Sequence, residues 1–161
     1  MNPVRLVTLA PGHFHAALIQ KEMLPGVDPT VHVYAPLDGD LSAYLGRIAA
    51  FNNRETSPTA WRLEVHANDA WPEQFLRERP GSVAVLSGRN RPKIDLMRLA
   101  LEAGMHVLAD KPWIIEADDF PKLLAAIDRA ESAGLVVFDM MTERHEITSI
   151  LQREIVDDPD L

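Results

Sequence analysis

The chain contains no cysteine, which excludes disulfides, thiolate metal centres and thiol nucleophiles, and is compatible with a reducing compartment. It also lacks any apolar run near the roughly 18 residues that a membrane span requires. Its N-terminus shows no basic-then-apolar secretory signal. No membrane partner is expected, and the expected location is cytoplasmic. Basic residues are the minority, 16 Lys and Arg against 24 Asp and Glu, for a net charge of −8. Nucleic-acid binders usually show a basic face, so a phosphate-backbone partner is not expected and a small-molecule ligand is. What is present is ordinary for a globular chain: 161 residues, 47% hydrophobic and 25% charged. One domain with an adequate core follows. There is no low-complexity segment, and no repeat beyond two strand-helix halves.

Taken in order, Val4 to Leu9 reads as a strand closed by a Pro-Gly turn, and from Phe14 the spacing of Leu18, Ile19 and Met23 predicts a helix stopped by Leu24-Pro25-Gly26. Val31 to Ala35 is a second strand, followed by the loop Pro36 to Gly39. Leu41, Tyr44, Leu45 and Ile48 then mark an amphipathic helix. A polar connection from Asn52 to Thr59 precedes a third strand near Arg62 to His66. Asp69 is expected to cap a helix that buries Trp71 and Phe75 and runs to about Arg79. Ser82 to Leu86 is a valine-rich fourth strand, and Pro92 suits the first turn of the helix carrying Ile94, Met97, Ala100 and Leu101.

Gly104-Met105-His106-Val107-Leu108-Ala109-Asp110-Lys111-Pro112 packs a helix stop, a buried strand and a charged turn into one stretch. Beyond it, Glu116, Asp118 and Asp119 load a helix start with negative charge, and Phe120, Leu123, Leu124, Ile127 and Ala130 form the expected buried stripe. Gly134, a sixth strand at Leu135 to Phe138, and a helix from about Glu146 to Val156 complete the pattern. The last helix carries Ile147, Ile150, Leu151 and Ile155 on one side. Six strands alternating with helices predict an α/β, Rossmann-like doubly wound parallel sheet with helices on both faces. Its expected order is 3-2-1-4-5-6, with ligands at the carboxyl ends of the strands.

Four turns, after strands one, two, four and five, then carry candidate site residues. The turn Ala10-Pro11-Gly12-His13-Phe14-His15 would offer backbone N–H groups and a helix N-terminus to a pyrophosphate, with Gly12 permitting close approach. Of G-x-G-x-x-G it keeps the middle glycine alone. Ala10 holds the tight-turn position and His15 the place of the third glycine. His13 and His15 offer metal ligands, but no third is visible, and catalytic zinc uses three, so no metal is expected. Asp38 is the available acid after strand two for an adenosine ribose, and an ordinary loop aspartate is the equal alternative. No Arg or Lys stands between Tyr34 and Gly46 to meet a 2′-phosphate, which favours NAD over NADP.

The Gly104 to Pro112 stretch resembles the G-K-H-V-x-x-E-K-P signature of the glucose-fructose oxidoreductase, inositol dehydrogenase and MocA family, over nearly the whole chain. That resemblance implies a nicotinamide dinucleotide held by Ala10, Gly12, His13, Phe14, His15, Asp38, Ser87, Gly88, Asn90, Asp110, Lys111 and Pro112. It also implies a catalytic role for Lys111, whose ammonium would stabilise alkoxide charge as hydride leaves a sugar, polyol or related hydroxyl compound. The chain departs from the family's pattern in Asp110, where the family has Glu, and in Gly88-Arg89-Asn90, where only Asn90 matches a T-P-N turn. Lys93 stands where the family often has His, and is not expected to be catalytic. The resemblance implies a cis Lys111-Pro112 bond as well. Trp113 either closes the pocket or simply packs, and Arg144 and His145 resemble the crossing into the family's second domain.

In that family the second domain supplies the catalytic histidine and the substrate pocket. Residues 1–161 correspond to the dinucleotide domain alone, as an excised domain or a natural single-domain relative. It is expected to be inactive by itself, whether or not the parent protein is an enzyme, and a homodimer is expected from the apolar surface left over. The alternative is a non-catalytic ligand-binding or protein-interaction domain with a degenerate cofactor site.

Overall fold

A computed structural model describes residues 3–140 and 146–158. Six strands form one parallel sheet: β1 (Leu6–Leu9), β2 (Thr30–Ala35), β3 (Arg62–Ala67), β4 (Val83–Leu86), β5 (His106–Ala109) and β6 (Val137–Asp139). Their order is β3-β2-β1-β4-β5-β6, as the strand-helix alternation predicts. The register sets Val7 opposite both His32 and Ala84, and Val85 opposite Leu108. β1 is buried along its length, because helices cover both faces of the central strands.

Those helices are α1 (His15–Leu18), α2 (Gly39–Asn53), α3 (Trp71–Glu78), α4 (Lys93–Glu102) and α5 (Phe120–Ser132), with α6 (Ile147–Val156) last in the chain. Two apolar cores result. Val7, Leu9, Phe75, Ile94, Met97, Leu101 and Val107 fill one face. Leu6, Val31, Val33, Leu41, Tyr44, Ile48 and Trp61 fill the other. The fold is therefore a Rossmann-like α/β sandwich of three layers.

Several local expectations are corrected. The first helix is a single turn, His15–Leu18, and does not reach Met23. Beyond it the chain tightens into i→i−3 bonds, Gln20 N to Ala17 O and Lys21 N to Leu18 O, and is tied to distant partners: Trp61 Nε1 donates to Gln20 O at 2.7 Å, and an Arg54 guanidinium N–H donates to Lys21 O at 2.7 Å. The buried Gln20 side chain accepts from Tyr44 Oη, and burial pushes the Tyr44 phenol up to about 12. Asp69 does not cap α3. Ala70 holds that position with no side-chain bond, and a proline in the first turn removes one donor that would need a cap. On α5 the buried residues are Ala126 and Ala130, while Phe120 and Leu124 of the expected stripe are about half exposed. The apolar side of α6 is exposed too, at Ile147, Leu151 and Ile155. Arg144 and His145 lie outside the described residues.

The turn after β1 is strained. Ala10 has φ of 42°, a left-handed conformation that glycine adopts freely and that costs an L-residue roughly 1–2 kcal/mol. This is the position where G-x-G-x-x-G would carry its first glycine. Ala10→Gly is therefore expected to raise the unfolding free energy by up to about 1 kcal/mol, net of glycine's greater freedom when unfolded. Urea denaturation of the two proteins, with a lower midpoint for the glycine variant as the contrary result, checks it.

Candidate functional site

The carboxyl ends of β1, β4 and β5 open into a cleft of roughly 270 Å³ lined by Gly12, His13, His15, Gly88, Arg89, Asn90, Asp110, Lys111 and Pro112. Gly12 and Lys111, 99 positions apart in sequence by number, thus face one hollow. The Lys111-Pro112 bond is cis, as expected. Lys111 itself is exposed at the rim.

The floor of the cleft is a buried polar cluster centred on Asp110, which is only 4% exposed. Ser87 Oγ donates to Asp110 Oδ2 at 2.8 Å. Lys93, 1% exposed, places its ammonium against Asp110 Oδ1 and also donates to the Asp110 carbonyl at 3.1 Å and to Asn90 Oδ1 at 2.9 Å. Two histidines approach the other carboxylate oxygen: His13 Nδ1 lies 3.5 Å and His15 Nδ1 3.3 Å from Asp110 Oδ2. Burial and the neighbouring His15 hold the His13 imidazole below its ordinary value, against the raising influence of Asp110. Lys93, read from sequence as not catalytic, is the counter-ion that makes a buried carboxylate tenable. The signal available was its place just after Asn90 at the start of α4, but its partner is 17 residues away.

The first turn does not present itself as a free anion nest. Gly12 N and His13 N both donate to Ser87 O, each at 3.0 Å. The β4 loop crosses so closely that a Cβ at Gly88 would lie 2.3 Å from Ala10 O, so this glycine is required by contact and not by its dihedral angles. A Cβ at Gly12 would meet Asp40 Oδ2 at 3.0 Å. That carboxylate is bound by Arg89, through Nε at 2.8 Å and an NH2 group at 3.0 Å.

A second cleft of roughly 230 Å³ opens on the β2 side of the same turn, lined mainly by Ala10, Pro11, Pro36, Asp38, Trp71 and Arg89. Asp38 caps α2, accepting from Leu41 N at 2.9 Å through Oδ1. Arg89 is common to both clefts. Sequence reading passed over it, because its position between them depends on the crossing of two loops.

The remaining sequence candidates separate. Ser87 is buried and serves Asp110 and the first turn, without lining either cleft. Phe14 is exposed, its ring 4.4 Å from those of both His13 and His15. Trp113 packs against the core and points its Nε1 at Ala109 O, 3.4 Å away, so it is a packing residue.

No family model and no curated protein matches the chain. Solved structures do. A candidate oxidoreductase from Parabacteroides merdae is similar at 43% identity and a TM-score of 0.94, over 98% of this chain and 36% of its own. The myo-inositol 2-dehydrogenase from Lactobacillus plantarum shares the fold at 14% identity and a TM-score of 0.67, over 98% of this chain and 42% of that one. Biliverdin reductase from Synechocystis, in complex with biliverdin and NADP+, shares it at 12% identity and a TM-score of 0.58, over 85% of this chain and 37% of that one. The chain therefore spans less than half the length of these relatives. The 3-2-1-4-5-6 sheet and these neighbours show a Rossmann-like α/β domain similar to that of oxidoreductases of the glucose-fructose oxidoreductase, inositol dehydrogenase and MocA type, the family that the Gly104 to Pro112 stretch resembles.

Proposed function

We propose that residues 1–161 are the nicotinamide-dinucleotide-binding domain of a dehydrogenase acting on a sugar, polyol or related hydroxyl compound. The observation that carries this reading is the pair of clefts meeting at Arg89 along the carboxyl edge of the sheet. A dinucleotide is a molecule with two rings joined by a diphosphate, and the arrangement suits it. The adenosine would occupy the second cleft, between Pro36 and Trp71, with the Asp38 oxygen not used in capping available to the ribose. The nicotinamide would lie in the first, beside Asn90 and Lys111. Arg89 would turn from Asp40 to the diphosphate, supplying the charge that the bonded Gly12 and His13 amides no longer offer.

Two carboxylates, Asp38 and Asp40, line the adenosine cleft and disfavour a 2′-phosphate, so NAD is preferred to NADP. The cofactor supplies a hydride acceptor. Lys111 stands at the rim to stabilise an alkoxide on the substrate hydroxyl as its proton departs. A second domain would complete the substrate pocket and supply the acid-base histidine, so this portion alone is not expected to turn over. Exposed apolar residues on α5, β6 and α6 support a further contact, either with that domain or in a homodimer, and the location proposed is cytoplasmic.

One observation favours a second reading, a non-catalytic binding or interaction domain: the first turn's amides are committed to Ser87 O and a carboxylate overlies Gly12. Calorimetric titration separates the two. Under the first, NAD binds more tightly than NADP. Arg89→Ala then weakens NAD binding by about tenfold or more, as loss of a charge-assisted hydrogen bond does. Asp40→Asn strengthens it, by freeing Arg89. Millimolar or weaker binding that Lys111→Ala leaves unchanged supports the second reading. Sustained NAD reduction by this chain with any polyol or sugar would overturn the expectation of inactivity.

A further inference from the structure

We propose that His13, His15 and Asp110 bind a divalent transition-metal ion at the inner wall of the first cleft. The site needs no dinucleotide and stands apart from that reading. The three side chains each offer one ligand atom, and these atoms all lie within 4.8 Å of one another. The separations of 3.5 and 3.3 Å from Asp110 Oδ2 to the two Nδ1 atoms are long for charge-assisted hydrogen bonds, which run about 2.7–2.9 Å. Two ligand atoms held about 2.0–2.2 Å from one tetrahedral ion are separated by about 3.4 Å. The spacing is that of neighbours sharing an ion.

His15 adds an independent observation. Its Nδ1 is buried and makes no hydrogen bond, a state that costs about 1–3 kcal/mol unless something answers it. A metal ion at Asp110 Oδ2 would answer it. Ser87 Oγ and the Lys93 ammonium fix the carboxylate from behind, as outer partners of a ligating group do. Asp110 would then bridge the Lys93 ammonium and the ion, one through each carboxylate oxygen. The donor set is then two imidazoles and one carboxylate oxygen, with a fourth position open to the cleft for water or a substrate hydroxyl. Such a set suits zinc or iron(II) and not calcium or magnesium, which take oxygen ligands.

A second group, His32, Glu64 and His66, lies on β2 and β3. Three of its ring nitrogens are engaged, since His32 Nδ1 meets His66 Nε2 at 3.4 Å and His66 Nδ1 meets Gln74 Nε2 at 2.9 Å. It serves as the internal control.

Cobalt(II) is the probe, titrated into the 161-residue chain and followed by its visible absorption. Expected are intense bands of a low-coordinate site at one ion per chain, abolished by zinc, by His15→Ala and by His13→Ala, and kept in His66→Ala. His13 is exposed, so its variant retains the fold, which far-ultraviolet circular dichroism verifies. Absence of the bands from the unsubstituted chain overturns the proposal, as does their survival in a chain carrying both His13→Ala and His15→Ala. NAD titration is a separate measurement: a chain that binds cobalt and not NAD keeps this site and loses the dinucleotide reading, and the reverse result does the opposite.

Discussion

One buried carboxylate governs the carboxyl edge of this sheet. Asp110 sits just past the end of β5, yet it holds Ser87 beyond β4 and Lys93 at the start of α4, and it stands beside both histidines of the turn after β1. Removing one partner of such a buried pair typically costs about 3–5 kcal/mol, because the other charge is left uncompensated. That is a large part of the roughly 5–15 kcal/mol that keeps a domain folded. Stability and the shape of the cleft are therefore not independent here, since the charge that anchors the loops also forms the cleft's inner wall.

The same convergence explains why the first turn departs from the usual phosphate cradle. Ser87 O draws in the amides of Gly12 and His13, and the close crossing at Gly88 holds the two loops together. The α1 helix that follows is a single turn, too short to contribute much of a dipole. An anion at this place would have to be met by a side chain, and Arg89 is the cation positioned between the clefts. Its present partner, Asp40, is then a counter-ion that a diphosphate would have to displace. Selectivity for a bound group would rest on that exchange more than on backbone geometry.

The strands and their order were legible because buried parallel strands leave short apolar runs between periodic helices, a local signal. The limits of legibility were long-range. Leu18, Ile19 and Met23 carry a helical spacing, but the segment after α1 leaves the helix for i→i−3 turns and is held by Trp61 and Arg54 from distant parts of the chain. The stripe on α5 read as buried because periodicity shows which residues share a face, not whether anything covers that face. The cleft itself was half legible: the turn at Gly12 and the Asp110-Lys111-Pro112 segment were read, and they do line one hollow. His13 and His15 lacked a visible third ligand because Asp110 is 95 residues beyond His15, and only the sheet order brings them together. The bond of Lys93 to Asp110 was out of reach of the sequence for the same reason, its partner lying 17 residues on, past the next strand.

The uncovered apolar residues are not scattered evenly. Phe120 and Leu124 on α5, Val136 beside β6, Phe138 within it and Ile147, Leu151 and Ile155 on α6 all belong to the last third of the chain. β6 is the edge strand next to β5, and β5 leads directly into Lys111. The opposite edge, β3, alternates Arg62, Glu64 and His66 with Leu63 and an exposed Val65, so charges interrupt its apolar side chains. Whatever covers the group on α5, β6 and α6 would consequently border the Lys111 end of the first cleft. Exposed apolar surface and the Lys111 end of the first cleft thus lie toward the same edge of the sheet.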